Sequence, residues 1–406
     1  MEFNYLTLDD FDLRDKRVLL RLDINAPLDP TTNQILDDTR IVSARPTLDA
    51  LSRSKVVVMS HQSRPGKDDF TSLQQHAVLL QKNCSQQVTF IDDVMGPAAR
   101  EAIKKTKQGE VLVLDNVRFC SEENLEDKGE KLAKTNLVSR LAFLFNLYVN
   151  DAFAAAHRAQ ASLVGFPFVL PSAAGRLMEK ELVALKKVLE RPDRPSTFVL
   201  GGAKIEDKVP VIDNILSTGK ADHVLVGGNV AKAFLKAEGH KFNDAEEESL
   251  AKAHEQIEKA KSILANHPGR IIMPTDFGTL ERGRRLETPI GKLPRAGKCL
   301  DIGEETSEKF LSVIRESNTV VASGPMGVFE QDGFESGTKI VLEGMAECDA
   351  FTVIGGGHLA GYAGIMGIAE RFSHVSTAGG AMLSLLAGEE LPAIEALVQA
   401  AKRHRK

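Results

Sequence analysis

The sequence predicts an α/β protein with parallel sheets in two domains, and three observations carry that prediction. Short β-branched runs recur along the chain with amphipathic helical segments between them, the rhythm of βα units. Five runs in the second half stop in glycine: Thr197-Phe-Val-Leu-Gly-Gly202, His223-Val-Leu-Val-Gly-Gly228, Val320-Val-Ala-Ser-Gly324, Phe351-Thr-Val-Ile-Gly-Gly-Gly-His358 and His374-Val-Ser-Thr-Ala-Gly-Gly380. At 406 residues the chain is also too long for one ordinary core.

Taken in order, the first half reads as strands at Val18–Ile24, Lys55–Ser60, Gln87–Ile91, Val111–Asn116 and Leu147–Phe153. Each is a short apolar run bounded by polar or turn residues. The second half adds Thr197–Leu200, His223–Val226, Arg270–Pro274, Lys298–Ile302, Thr319–Ala322, Phe351–Ile354 and His374–Ser376. Between the halves, Ser172 to Glu190 places Met178, Leu182, Leu185 and Leu189 on one helical face, and Pro192 and Pro195 follow. That stretch reads as a connecting helix between a first domain ending at 171 and a second beginning at 191.

Bulk properties exclude several function classes. A net charge of -5 argues against nucleic acid or an anionic membrane as the main partner. Cys84, Cys120, Cys299 and Cys348 are scattered without CxxC spacing, which fits reduced thiols and indicates neither zinc nor a disulfide framework. No stretch reaches the ~20 apolar residues of a membrane helix, and the first residues lack the apolar core of a secretion signal. A cytoplasmic protein is expected.

The two halves end their strands differently. In the second half the ends are glycine, which bares backbone N–H groups at the edge where parallel sheets hold ligands. In the first they are charged or amide side chains: Arg21, Asp23 and Asn25; His61 and Arg64; Asp115, Asn116 and Arg118; Asn150, Asp151, His157 and Arg158. Arg40 follows the acidic turn Asp37-Asp38. Guanidinium is planar, permanently charged and pairs bidentately with carboxylate or phosphate. Such a set suits a small, highly charged, oxygen-rich substrate. Asp23 and Asn25 alternate with Leu22 and Ile24, so on a strand both would point the same way.

Gly201-Gly-Ala-Lys-Ile-Glu-Asp-Lys208 resembles a phosphate loop but lacks the GxxxxGK[ST] spacing. Pro210 belongs in the first turn of a helix, with Asp207 as its cap, Lys208 at its start and Lys204 in the turn before. The stretch Gly333-Phe-Glu-Ser-Gly-Thr-Lys339 fails the same motif by one residue, and no GxGxxG follows a strand. A two-domain dehydrogenase is therefore disfavoured. A solute-binding protein, which also has two α/β lobes, would not need the paired lysines.

These motifs together resemble the phosphoglycerate kinase family. The resemblance rests on Arg21-Leu-Asp-Ile-Asn-Ala-Pro27, Asp38-Thr-Arg-Ile41, Ser60-His-Gln-Ser-Arg-Pro65, Asp115-Asn-Val-Arg-Phe119, the run Asn150 to Ser162, Gly201-Gly-Ala-Lys204, Gly324-Pro-Met-Gly-Val-Phe-Glu330 and Ser376-Thr-Ala-Gly-Gly-Ala381. They stand in the family's order over nearly the whole chain. Two departures point to a variant, archaeal-like branch. His358 stands where many members carry an aspartate that contacts magnesium, and Ala322-Ser323 replaces Trp-Asn.

The resemblance implies two doubly wound, Rossmann-like domains joined by a hinge helix at 172–190. Residues 1–171 and the returning tail 390–406 would hold 3-phosphoglycerate, and residues 191–389 would hold Mg-nucleotide. By the same likeness Asp23, Asn25, Arg40, His61, Arg64, Arg118 and Arg158 bind the triose. Gly201, Ala203, Lys204, Lys208, Gly227, Gly228, Pro325, Glu330, Gly355, Gly356, Gly357 and His358 bind ATP or ADP. Arg40, Lys204, Gly356 and Gly379 would stabilise the phosphoryl group in transfer. The protein ligand of Mg²⁺ stays open: Asp207 is a candidate, though a helix cap explains it equally well. A monomer or weak homodimer with no nucleic acid or membrane partner is expected.

Overall fold

The structure, a computed structural model, describes residues 4–405. The chain divides into two compact units. One runs to Val183 and takes the chain back from Glu390; the other spans Ala184–Glu389.

The first unit is built on six parallel strands in the order β3-β4-β2-β1-β5-β6. They are β1 Arg17–Arg21, β2 Lys55–Met59, β3 Gln87–Ile91, β4 Glu110–Leu114, β5 Leu147–Asn150 and β6 Ser172–Ala174. One face packs Val18 and Leu20 against Val56, Val58, Val111, Val113 and Val149. Leu19 and Val57, which point the other way, are equally buried. Burial on both faces explains why these strands read as unbroken apolar runs.

The second unit repeats the plan in the order β15-β14-β13-β7-β8-β9. These are β7 Ser196–Leu200, β8 His223–Val226, β9 Ile271–Ile272, β13 Thr319–Ser323, β14 Phe351–Gly355 and β15 His374–Ser376. Val199, Leu225, Val320 and Ile354 pack on Phe310, Leu342 and Met345 of the covering helices. In both sheets the winding reverses beside the first strand, β1 or β7. Crevices for ligands form at such switch points, at the strands' carboxyl ends.

Four expectations are corrected. β1 ends at Arg21, so Asp23 and Asn25 lie in a loop and do not alternate along a strand. The reason is local: past Met59 the ladder partners become side chains, with Ile24 N–H donating to Ser60 Oγ at 3.2 Å and Ala26 N–H to Gln62 Oε1 at 3.0 Å. β12, Lys298–Ile302, joins no parallel sheet; it pairs antiparallel with β10, Asp276–Glu281, which also pairs with β11, Arg284–Pro289. Arg282 and Gly283, both at positive φ, make the tight two-residue turn of that hairpin.

The connecting helix starts later than expected, at Arg176, because Ser172–Ala174 pairs as β6 with β5. Finally, the helix after β7 spans Ile205–Ser217 with Pro210 inside it. Asp207 is therefore its third residue and no cap, and Lys204 occupies the N-cap position. Pro210 forgoes one intrahelical bond, to Glu206, but sits too near the start to break the helix.

Candidate functional site

In the first unit the loops after β1, β2 and β5 converge. Arg40, in the short helix Thr39–Ser43, reaches back so that its Nη1 donates to Asp23 Oδ1 at 2.9 Å. Asn25 Oδ1 accepts the Ser63 N–H at 2.8 Å, which ties the β1 loop to the β2 loop. Gln62 reinforces that tie from beneath, donating from Nε2 to Ala26 O at 2.9 Å. Arg118 is buried, donating from Nη1 to Ser63 O and from Nη2 to Gln160 Oε1 at 3.4 Å.

Electrostatics show how crowded this surface is with cations. Burial, with the charges of Arg158 and Arg21, pulls Arg118 down to about 10. Burial also drives His61 well below the ordinary imidazole value, and Arg21, Arg118 and Arg158 push the same way against Asp23. His157 is lowered by burial and by Arg158, whose Nε lies 3.4 Å from its Nε2. Asp23 is the counter-charge. Burial disfavours its ionisation, yet the His61 ring, Arg40, Arg21 and the Asn25 N–H together hold it below the usual carboxylate range. Asp23 and the buried Glu123 are outnumbered by Arg21, Arg40, Arg118 and Arg158, which leaves room for an anionic ligand.

The structure thus brings together Asp23, Asn25, Arg40, His61, Arg118 and Arg158 around one sheet edge. Arg64 is exposed in the loop after β2. Reasoning from sequence missed Glu123 and Ser162, which lie fully buried behind the cluster. Glu123 sits in the acidic stretch Ser121–Asn124, which reads as solvent-exposed.

In the second unit the strand ends enclose a cavity of about 490 Å³. Gly201, Ala203, Lys204, Lys208, Gly228, Pro325 and Glu330 line it, as do Gly355 through His358 and Gly379. Gly227 does not. It faces Met326 instead, whose Sδ would lie 2.6 Å from a Cβ added there. At Gly228, φ is +55° and a Cβ would meet Gly202 N at 2.9 Å, so two backbones touch and only glycine fits.

Helices Ile205–Ser217, Gly357–Ile365 and Gly380–Leu386 begin at this cavity, and none has a side-chain cap. Their first-turn amides and the positive ends of their dipoles suit a polyanion. The helix Gly228–Ala237 differs: the N–H groups of Gly228 and Asn229 are taken by Met326 O and Gly202 O. It supplies wall, not amides.

Lys208 is buried and donates from Nζ to Ser323 Oγ at 2.6 Å. Burial lowers it to about 8, with Lys204 adding to the effect. Lys204 is exposed, its Nζ 3.9 Å from Asp207 Oδ2. His358 lies at the rim, its ring centroid 6.2 Å from that of Phe329. Sequence reasoning did not single out the apolar wall of Phe277, Leu300, Met326, Leu359 and Leu383, nor Asn229. These come from β10, β12, the loop after β13 and separate helices, and share no motif. Among the described residues no group of three or more His, Cys, Asp or Glu could hold a metal.

Comparison with known proteins adds the following. A family model described as phosphoglycerate kinase matches residues 8–389. The chain is 44% identical over 408 residues to the phosphoglycerate kinase of Methanothermus fervidus, covering 100% of this chain and 99% of that protein. It is 44% identical over 396 residues to that of Saccharolobus solfataricus, covering 96% of each. The crystal structure of phosphoglycerate kinase from Pyrococcus horikoshii OT3 matches with a TM-score of 0.91 at 40% identity, covering 98% of this chain and 99% of that one. That of Coxiella burnetii matches with a TM-score of 0.79 at 32% identity, covering 98% and 100%.

Proposed function

The chain belongs to the phosphoglycerate kinase family and is a phosphotransferase with a carboxyl group as acceptor; from that premise we propose how its residues divide the work. The reaction is reversible phosphoryl transfer between 1,3-bisphosphoglycerate and ADP, giving 3-phosphoglycerate and ATP, a step of glycolysis and gluconeogenesis. One observation carries the division. Side-chain cations crowd the ligand edge of one sheet, and uncapped helix starts surround the cavity of the other.

On this reading Asp23, Asn25, Arg40, His61, Arg64, Arg118 and Arg158 hold 3-phosphoglycerate. The second unit's cavity takes the nucleotide: its apolar wall suits a flat base, while Lys204, Lys208 and the amides at Gly356 and Gly379 suit phosphates. The substrate carboxylate is already a nucleophile, so no general base is needed. His61 and His157 then anchor substrate and move no proton. Catalysis reduces to alignment and to stabilising charge on the equatorial oxygens in flight, by Arg40, Lys204 and those amides. The helix Arg176–Glu190 carries the chain from one unit to the other, and we assign it the hinge on which in-line transfer and exclusion of water depend.

Mg²⁺ fits the donors present. It keeps several waters and needs few protein oxygens when phosphates supply the rest. Asp207, exposed on the cavity wall, is the carboxylate that would reach it; bound there, the ion would neutralise phosphate charge. We take the enzyme to act as a monomer or weak homodimer. No helix among the described residues is long and apolar enough to cross a membrane, and with the scattered free cysteines this supports a cytoplasmic location.

The test is a coupled assay with 3-phosphoglycerate and Mg-ATP, followed by glyceraldehyde-phosphate dehydrogenase and NADH. NADH oxidation dependent on both substrates is expected. Its absence with folded protein overturns the reading.

A further inference from the structure

Behind the cation cluster runs a buried chain of four side chains that the roles above do not use as a unit. Glu123 Oε1 accepts the Ser162 hydroxyl at 2.5 Å, and Oε2 accepts the Ser162 backbone N–H at 2.8 Å. Ser162 Oγ accepts Arg21 Nε at 2.8 Å. Arg21 Nη2 lies 3.2 Å from His61 Nδ1. Glu123, Ser162 and Arg21 are each 0% exposed, and His61 is 4% exposed.

Chemistry sets the direction of every link. A guanidinium has five donors and no acceptor, so Arg21 donates and His61 Nδ1 carries no proton. The ring's single proton therefore sits on Nε2. The Ser162 hydroxyl, accepting from Arg21, directs its own proton to Glu123. The Ser162 backbone N–H fixes Oε2 as an acceptor; burial raises Glu123, and Arg21 with the two Ser162 donors opposes that rise and favours the carboxylate.

We propose that Glu123 is a positioning residue: through Ser162 and Arg21 it locks His61 as the neutral Nε2–H tautomer, so the ring presents the triose acid with one fixed donor. Without Glu123 the Ser162 hydroxyl can rotate and Arg21 loses its counter-charge. Arg21 can then turn toward Asp23, and His61 Nδ1 is released to take a proton. This inference rests on the reading that places His61 on the 3-phosphoglycerate surface.

The test pairs ring ¹⁵N spectra of labelled protein with initial rates, using Glu123→Gln and Ser162→Ala. His61 signals are assigned by their loss in His61→Gln. The parent should show a protonated Nε2 and a bare Nδ1. Both variants should show a mixed or Nδ1–H pattern. Their KM for 3-phosphoglycerate should rise by about tenfold, the scale of one buried group left unpaired, with KM for ATP within about twofold of the parent. If Glu123→Gln does not fold, Ser162→Ala decides alone, since it removes one oxygen. A parent-like tautomer in the folded variants overturns the proposal, whether or not KM has moved. An unchanged KM in His61→Gln defeats instead the assignment of His61 to the substrate, and the proposal with it.

Discussion

Asp151 Oδ1 accepts the backbone N–H of Met178 at 3.0 Å, so the first turn of the Arg176–Glu190 helix is held by a carboxylate from the end of β5. A Cβ at Gly175 would collide with that same oxygen, so the chain must carry glycine there. Burial raises Asp151 to about 6. An acid whose folded value exceeds its unfolded one stabilises most below the unfolded value, near 3.8, and loses that contribution as pH rises through 6. Asp151→Asn should therefore gain stability relative to the parent between pH 4 and 7, by up to about 3 kcal/mol. Urea unfolding at the two pH values measures it; a difference independent of pH would count against the assignment.

His76 titrates the other way. Fully buried on the helix Gln74–Asn83, its Nε2 lies 3.0 Å from Gln62 Oε1, and burial lowers it to about 4. A base depressed in this way stabilises above its unfolded value of 6.5, and that contribution is lost as pH falls toward 4. His76→Gln should lose less stability than the parent over that window, by roughly 3 kcal/mol.

Arg40→Ala should lower turnover by at least ~10²-fold, as expected for removing a preorganised charge from the transition state. Near-normal kcat in a variant with a parent-like circular dichroism spectrum would take Arg40 out of the mechanism.

Lys208, lowered to about 8, loses its charge well below the ordinary lysine range. ATP affinity measured by isothermal titration should hold from pH 6.5 to 7.5 and fall by about tenfold by pH 9. Lys208→Gln should bind more weakly and show no such slope. A slope that survives in Lys208→Gln would belong to another group.

Asp207→Asn should shift the Mg²⁺ concentration for half-maximal rate upward by several-fold and leave KM for 3-phosphoglycerate unchanged. Titrating metal into chelator-treated enzyme reads both values. Identical metal curves for variant and parent would leave Asp207 as a surface residue.

Much of this was legible in the linear chain. The Val56-Val-Val58 and Val320-Val321 runs announce strands because both faces of each sheet are buried, and burial on both faces needs no partner information. Glycine ends at Gly201, Gly228 and Gly356 are equally legible, since close backbone approach and positive φ admit little else. β6 was not: Ser172-Ala-Ala174 has no apolar signature and becomes a strand only because β5 offers an open edge. Nor was the placement of β12, whose sequence fits a parallel strand but whose neighbour is the hairpin β10–β11.

The site divides in the same way. Which residues carry charge was set by the sequence, and so was the family to which their order points. Which of them stand at the surface and which stand behind it was decided by tertiary structure alone. Glu123 and Ser162 are 39 residues apart, and Lys208 and Ser323 are 115 apart. Local patterning specifies a residue's own conformation and burial, but a hydrogen bond between distant segments exists only after folding has chosen which strand ends meet.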